Sequence, residues 1–137
     1  MSFKVGDICT TEVKVTEQMI MDFARITGDF NPVHVDEEYA KTTRFGRRIA
    51  HGILSAGFIS AALATHLGPG GIYLGQTLKF MAPVFIGDEL IIQLKVLQVR
   101  EEKGIGIVET LVIRKSNQEV CVKGEATIMQ GSAVKKS

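Results

Sequence analysis

Within Thr27-Gly28-Asp29-Phe30-Asn31-Pro32-Val33-His34, a carboxylate, a carboxamide and an imidazole fall inside six residues of loop-forming sequence. Gly28 tolerates a positive φ, and Asn31-Pro32 favours a turn while holding Asn31 extended. Asp29 and His34 are thereby pinned on a tight connection between two segments of helical pattern. A carboxylate beside an imidazole is a residue pair suited to proton transfer, one group taking a proton while the other orients or returns it. Such pairs commonly work from loops carried on a rigid scaffold. Residue types alone leave a second reading open, in which Asp29 and Asn31 only cap and turn the backbone and His34 lies on a surface.

The elements that must position this loop follow from periodicity. Residues 7–15 alternate with a period of two, Ile8, Thr10, Glu12 and Lys14 opposite Cys9, Thr11, Val13 and Val15, which predicts a short first strand. Thr16 is suited to an N-cap, Glu17 to a first turn, and Met19, Ile20, Phe23, Ala24 and Thr27 recur at helical spacing until Gly28 closes the helix. A short helix is expected around 36–42, then a basic link containing Arg44, Arg47 and Arg48. Residues 49–67 read as a long helix whose apolar side chains, Ile53 and Leu54 through Leu63 and Leu67, are spread nearly all round; that predicts burial on every side. Gly68-Pro69-Gly70-Gly71 should end it. Four strands are then expected over 72–82, 89–102, 105–115 and 119–129, and 131–137 reads as a fraying tail. The order gives one α+β domain over 1–137, a bent antiparallel sheet wrapping the long helix. Its sheet edge needs a partner, so a homodimer is expected.

Composition narrows the function. The chain has 137 residues, 45% of them apolar, and a net charge of +1, which gives no electrostatic case for nucleic acid or an anionic membrane surface. The two cysteines, Cys9 and Cys121, lie far apart; they predict free thiols, small buried hydrophobes and a cytoplasmic setting. The first residues lack the apolar run of a signal peptide, and residues 53–67 are too short and interrupted to span a bilayer. His34-Val35-Asp36-Glu37-Glu38 matches no zinc-ligand spacing, and Gly104-x-Gly106 sits in a hairpin rather than a dinucleotide loop.

Three stretches together carry a family resemblance. They are Phe23-Ala24-Arg25-Ile26-Thr27-Gly28-Asp29-Phe30-Asn31-Pro32-Val33-His34 with Ala40 downstream, Ile49-Ala50-His51-Gly52, and Tyr73-Leu74-Gly75-Gln76 running on through Leu78, Phe80, Pro83-Val84 and Gly87-Asp88. In order and spacing, over roughly residues 5 to 130, the chain resembles the MaoC-like hot-dog family of (R)-specific enoyl-CoA hydratases. The resemblance implies a hot-dog fold, usually a homodimer with one continuous sheet. It implies a hydro-lyase of fatty acid metabolism that adds water reversibly, in syn fashion, to a trans-2-enoyl-CoA, giving an (R)-3-hydroxyacyl-CoA without metal or cofactor. By position, Asp29 and His34 match the catalytic pair and Asn31 a loop-supporting residue. Gly52 matches the backbone N–H that polarises the thioester carbonyl, and Ser60 and Gly28 match positions near the pocket.

Adding water to an unsaturated thioester needs a base for water, a donor for the enolate oxygen and an acid for C2. Asp29 and His34 can hold one water between them, with Asp29 favoured as base and His34 as orienter and proton donor. A helix starting at Gly52 offers unpaired N–H groups at a positive dipole end, with no side chain in the way. The alternatives are an acyl-carrier-protein 3-hydroxyacyl dehydratase, which runs the same loop in reverse, and a non-catalytic acyl-CoA-binding module. A thioesterase fits this loop less well. Of the other candidates, His51 reads as structural and His66 as a partner for its helix's last carbonyls. Arg44, Arg47 and Arg48 read equally as contacts for the phosphates of CoA or as a solvated basic link.

Overall fold

The computed structural model describes residues 3–67 and 70–135. Strand β1 (Ile8–Lys14) turns Cys9, Thr11 and Val13 inward, as the alternation predicts. Helix α1 (Glu17–Thr27) begins where Thr16 accepts the Met19 N–H at 3.2 Å, a cap of the kind worth about 1 kcal/mol. It ends at Gly28, which sits at φ 82° and donates its N–H to the Ala24 carbonyl.

Two short helices follow, α2 (Pro32–Val35) and α3 (Glu37–Lys41), the second capped by Asp36. The first of them is not among the expected elements. Pro32 brings its fixed φ to the first helical position and Asn31 caps it, which forms one turn without any apolar repeat. The long helix α4 (Gly52–His66) starts later than residue 49. Ile49 and Ala50 are extended instead, Ile49 bridging Phe85 and Ala50 donating to the Val84 carbonyl at 2.7 Å.

Every pairing in the six-stranded sheet is antiparallel, in the order β1, β4 (Glu89–Arg100), β5 (Ile105–Arg114), β6 (Glu119–Met129), β2 (Ile72–Gln76), with β3 (Lys79–Phe80) also on β6. The stretch 72–82 is thus two strands rather than the single one expected. At the break, the Thr77 carbonyl lies so close over Gly124 that a Cβ there would sit 1.8 Å from its oxygen. Strand β4 stops at Arg100, where a 3-10 turn over Glu101–Lys103 leads into Gly104 at φ 65°. The expected fraying tail carries a one-turn helix, α5 (Gly131–Val134). Gly68 and Pro69, expected to terminate the long helix, lie outside the described residues.

Leu90, Ile92, Leu94 and Val96 of β4, with Val108 and Val112 of β5 and Val122 and Ala126 of β6, make the inner face of the sheet. Ile59, Ala62 and Leu63 of α4 pack against it, and α4 meets β1, β4 and β5. Each fully buried aliphatic side chain contributes about 1.5–3 kcal/mol, so this seam holds the helix in the sheet. It is the α+β, hot-dog arrangement of sheet around helix. The burial of α4 is one-sided, however, contrary to expectation: Ile53, Gly57, Ala61 and Ala64 form an exposed stripe, with Ile53 55% accessible. A helix apolar all round needs cover on all sides, and one sheet covers one side. Among the described residues, no helix is long and apolar enough to cross a membrane.

Candidate active site

The loop between α1 and α2 is built from local hydrogen bonds. Thr27 Oγ1 donates to the Phe23 carbonyl at 2.7 Å and accepts the Asp29 N–H at 3.2 Å. Asp29 Oδ1 accepts the Asn31 N–H at 3.2 Å, and Asn31 Oδ1 accepts the Val33 N–H at 3.2 Å. The turn-making reading therefore describes one of the two Asp29 oxygens. The carboxylate itself is exposed, at the mouth of a cavity of about 240 Å³ that it shares with Phe23, His34, His51 and Gly52.

His34 is half-buried on the single turn of α2, with Nδ1 2.7 Å from the Ile49 carbonyl oxygen. A carbonyl only accepts, so Nδ1 carries the proton, and Nε2 of the neutral ring keeps its lone pair. Burial pushes the His34 pKa below the ordinary imidazole value, and His51 adds to that. The Ile49 bond and the Asp29 charge oppose the shift without reversing it. The ring is held neutral, its free nitrogen an acceptor.

His51 is a residue whose part in the site the sequence did not disclose. It is buried, as a structural residue should be, at 2% accessibility. Yet its ring lies 4.0 Å from that of His34 between centroids and 4.7 Å from Phe23. Nε2 donates to the Asp29 main-chain carbonyl at 3.0 Å, which leaves Nδ1 buried without a protein partner. His51 thus touches both members of the pair, a role that its place beside Gly52 in the sequence did not signal. One ligand-type atom from each of Asp29, His34 and His51 lies within 4.8 Å of the others. Such a cluster can hold a water molecule, and its donor types can also hold a metal ion.

Gly52 opens α4, so its N–H has no acceptor within the helix and lies at the positive end of the dipole. The Phe80 ring packs on its Cα; a Cβ at position 52 would lie 2.6 Å from that ring. Gly52, His34 and His51 also line an adjoining cleft of about 380 Å³, walled by Ile53, Phe80 and Met81. Arg114, nearly buried, braces the far wall: Nη2 donates to the Pro83 carbonyl, Nε to Asp88 at 3.0 Å and Nη1 to Glu119 at 2.5 Å.

The remaining candidates scatter. Asn31 supports the loop as expected from its position, and Gly28 serves the α1 cap, with nothing within 4 Å of a Cβ built on it. Ser60 lies more than two turns along α4, on a separate cavity of about 110 Å³ with Leu63, Tyr73 and Ile128. The basic link divides: Arg44 lines the cleft, Arg47 stacks 3.8 Å over Phe85, and Arg48 is buried rather than solvated. His66 bonds Thr11 Oγ1 of β1 at 2.8 Å instead of its own helix's carbonyls. Cys121 is buried and Cys9 partly so; burial raises both thiols above their ordinary pKa.

A model of the MaoC-like domain matches residues 6–118. The chain belongs to the MaoC-like family. Among curated relatives, this MaoC-like protein is 46% identical over 127 residues to the (R)-specific enoyl-CoA hydratase of Rhodospirillum rubrum, covering 92% of this chain and 87% of that one. It is 34% identical to the mitochondrial 3-hydroxyacyl-[acyl-carrier-protein] dehydratase of Arabidopsis thaliana, over 90% of this chain and 75% of the relative. Among solved structures it is similar to the (R)-hydratase of Aeromonas caviae involved in PHA biosynthesis. There the TM-score is 0.89 and the identity 38%, over 94% of this chain and 98% of that one.

Proposed function

We propose that this MaoC-like protein is an (R)-specific enoyl-CoA hydratase, a hydro-lyase adding water reversibly to a trans-2-enoyl-CoA to give an (R)-3-hydroxyacyl-CoA. The observation that carries the reading is that Asp29, His34 and Gly52, the first residue of α4, line one cavity, which His34 and Gly52 join to the adjoining cleft. A water held by both its hydrogens, on the Asp29 carboxylate and on His34 Nε2, points its oxygen at C3 of the substrate. As the O–C3 bond forms, one water proton passes to the pair. The π electrons move toward the thioester oxygen, where the Gly52 N–H meets the developing charge. The same proton then passes to C2 on the face that received the hydroxyl, and atoms balance without another reactant. With Nδ1 bound to Ile49, His34 donates a proton only after taking one, a narrower part than the orienter and donor expected from sequence.

Two readings of the carrier differ in a testable way. A net charge of +1 gives no overall attraction for an acidic carrier protein, and the more similar relative reported above is named for CoA. The acyl-carrier-protein alternative draws on relatives at the lower identity of 34%. Mixing the protein with crotonyl-CoA, following loss of the conjugated thioester absorbance and determining the product's chirality tests the proposal. No turnover, or an (S) product, overturns it, and turnover of the acyl-carrier-protein thioester alone selects the alternative.

The active form is a homodimer on this reading. Ile72, Tyr73 and Leu74 on β2 with Phe80 and Met81 beyond it are all at least 38% accessible, an apolar sheet edge of the kind that proteins pair or cover. Free thiols at Cys9 and Cys121 fit a cytoplasmic location.

A further inference from the structure

We propose that Arg48 is a positioning residue for His34, holding the turn that carries it so that Nε2 faces Asp29; the catalytic consequence rests on the reading of Asp29 and His34 above. Helix α2 is a single turn of four residues, and one turn has too few internal hydrogen bonds to hold itself. The His34 carbonyl lies in that turn, where no later intrahelical N–H is available to it. Arg48 Nε donates to this carbonyl at 2.7 Å.

The neighbouring residue completes the grip. Ile49 donates its N–H to the Val33 carbonyl at 3.2 Å and accepts from His34 Nδ1 at 2.7 Å. Consecutive residues therefore hold both the main chain and the ring of His34. Ala50, bonded to Val84, then ties the same strap to the cleft wall.

The burial of Arg48 points the same way. Its side chain is 8% exposed, and a guanidinium is costly to desolvate unless its donors are satisfied. The ion pair alone offsets this poorly, because Glu17 at 3.2 Å is 66% exposed and screened by water. The third contact, Nη2 to Met21 Sδ at 3.6 Å, is weak. The His34 carbonyl is the short, directional partner among the three. Among the described residues, the charged or titratable groups around His34 are Asp29 from the loop, His51 from the start of α4, Arg44, which lines the same cleft, and Arg48 from the strap, with Glu17 of α1 behind Arg48.

The test uses the full chain with Arg48→Lys and Arg48→Met, and reads the His34 ring by nitrogen-labelled NMR beside crotonyl-CoA kinetics. Lysine keeps the charge near Glu17 but has no planar fork to reach the His34 carbonyl at the same time. The expected result for the folded lysine variant is averaging between the two ring tautomers where the parent shows Nδ1–H. Its titration midpoint should rise toward ordinary histidine. Turnover should fall ~10–100-fold with KM changed by less than about threefold, as for a displaced rather than a lost group. Glu17→Gln, which removes only the exposed partner, should leave the ring signals and kcat at parental values. If Arg48→Met does not fold, the lysine variant decides. Parental ring signals in a folded Arg48 variant overturn the proposal, as does a turnover loss no larger than the loss of folded protein. Should the parent fail to hydrate crotonyl-CoA, the functional reading falls, and the ring signals still decide the role of Arg48.

Discussion

Asp29→Asn separates chemistry from architecture at one atom. Asp29 Oδ1 accepts the Asn31 N–H, and an asparagine keeps an Oδ1 that accepts in the same place. The carboxylate is exposed, so no buried charge is left unpaired and no cavity opens. Stability should change by no more than ~0.5 kcal/mol, the range for surface substitutions. What is lost is the negative charge and the capacity to take a proton from a water shared with His34. Positioned acid–base groups typically contribute ~10²–10⁴-fold in rate, roughly 3–5 kcal/mol of barrier. The assay follows crotonyl-CoA absorbance, with melting followed by circular dichroism on the same preparation. The expected variant is folded, binds substrate nearly as the parent does, and has lost at least two decades of kcat on the scale just given. If Asp29 merely turns the chain, Asn will lower the melting temperature and spare kcat; a folded Asp29→Asn with near-parent turnover refutes the reasoning. His34→Ala should cost activity on a similar scale. The double variant should lose far less than the product of the two, because groups acting on one water are not additive.

Activity should persist to lower pH than a free imidazole would permit. Burial lowers the His34 pKa, the neutral ring is the working form, and kcat/KM therefore falls only as pH drops through that depressed value; an acid limb at or above ordinary histidine contradicts this. Gly52→Ala places a Cβ 2.6 Å from the half-exposed Phe80 ring, which can swing aside. Stability should therefore drop toward the low end of ~1–3 kcal/mol while turnover falls much further, and parental kcat in a urea-stable variant would remove Gly52 from the site. Light scattering should find a dimer at micromolar concentration and Leu74→Lys should weaken it; a fully active parental monomer would be incompatible with the paired edge. Arg114→Ala leaves Asp88, itself only 14% exposed, without its guanidinium, for a loss of ~3–5 kcal/mol in urea unfolding; a loss under about 1 kcal/mol would mean the pair braces nothing.

The amino-acid order determined whatever depends on near neighbours. The Thr16 cap, the Gly28 stop, the strands over 8–14, 105–114 and 119–129 and the Asp29–Asn31–Val33 turn are made by groups at most four residues apart, or by a repeat of two. The same order carried the loop that identifies the family. Tertiary structure decided the rest, because the deciding contacts join distant residues. His51 meets Asp29 across 22 positions, and Arg48 meets Glu17 across 31. The Thr77 backbone splits a strand over Gly124, and His66 turns to Thr11 across 55 positions. Composition cannot say which side of an apolar helix one curved sheet will cover, so the exposed stripe of α4 and the separation of Ser60 from His34 became visible only once the sheet had closed. A side chain's partners at that range are set by where the sheet brings the chain back, and no local periodicity encodes that return.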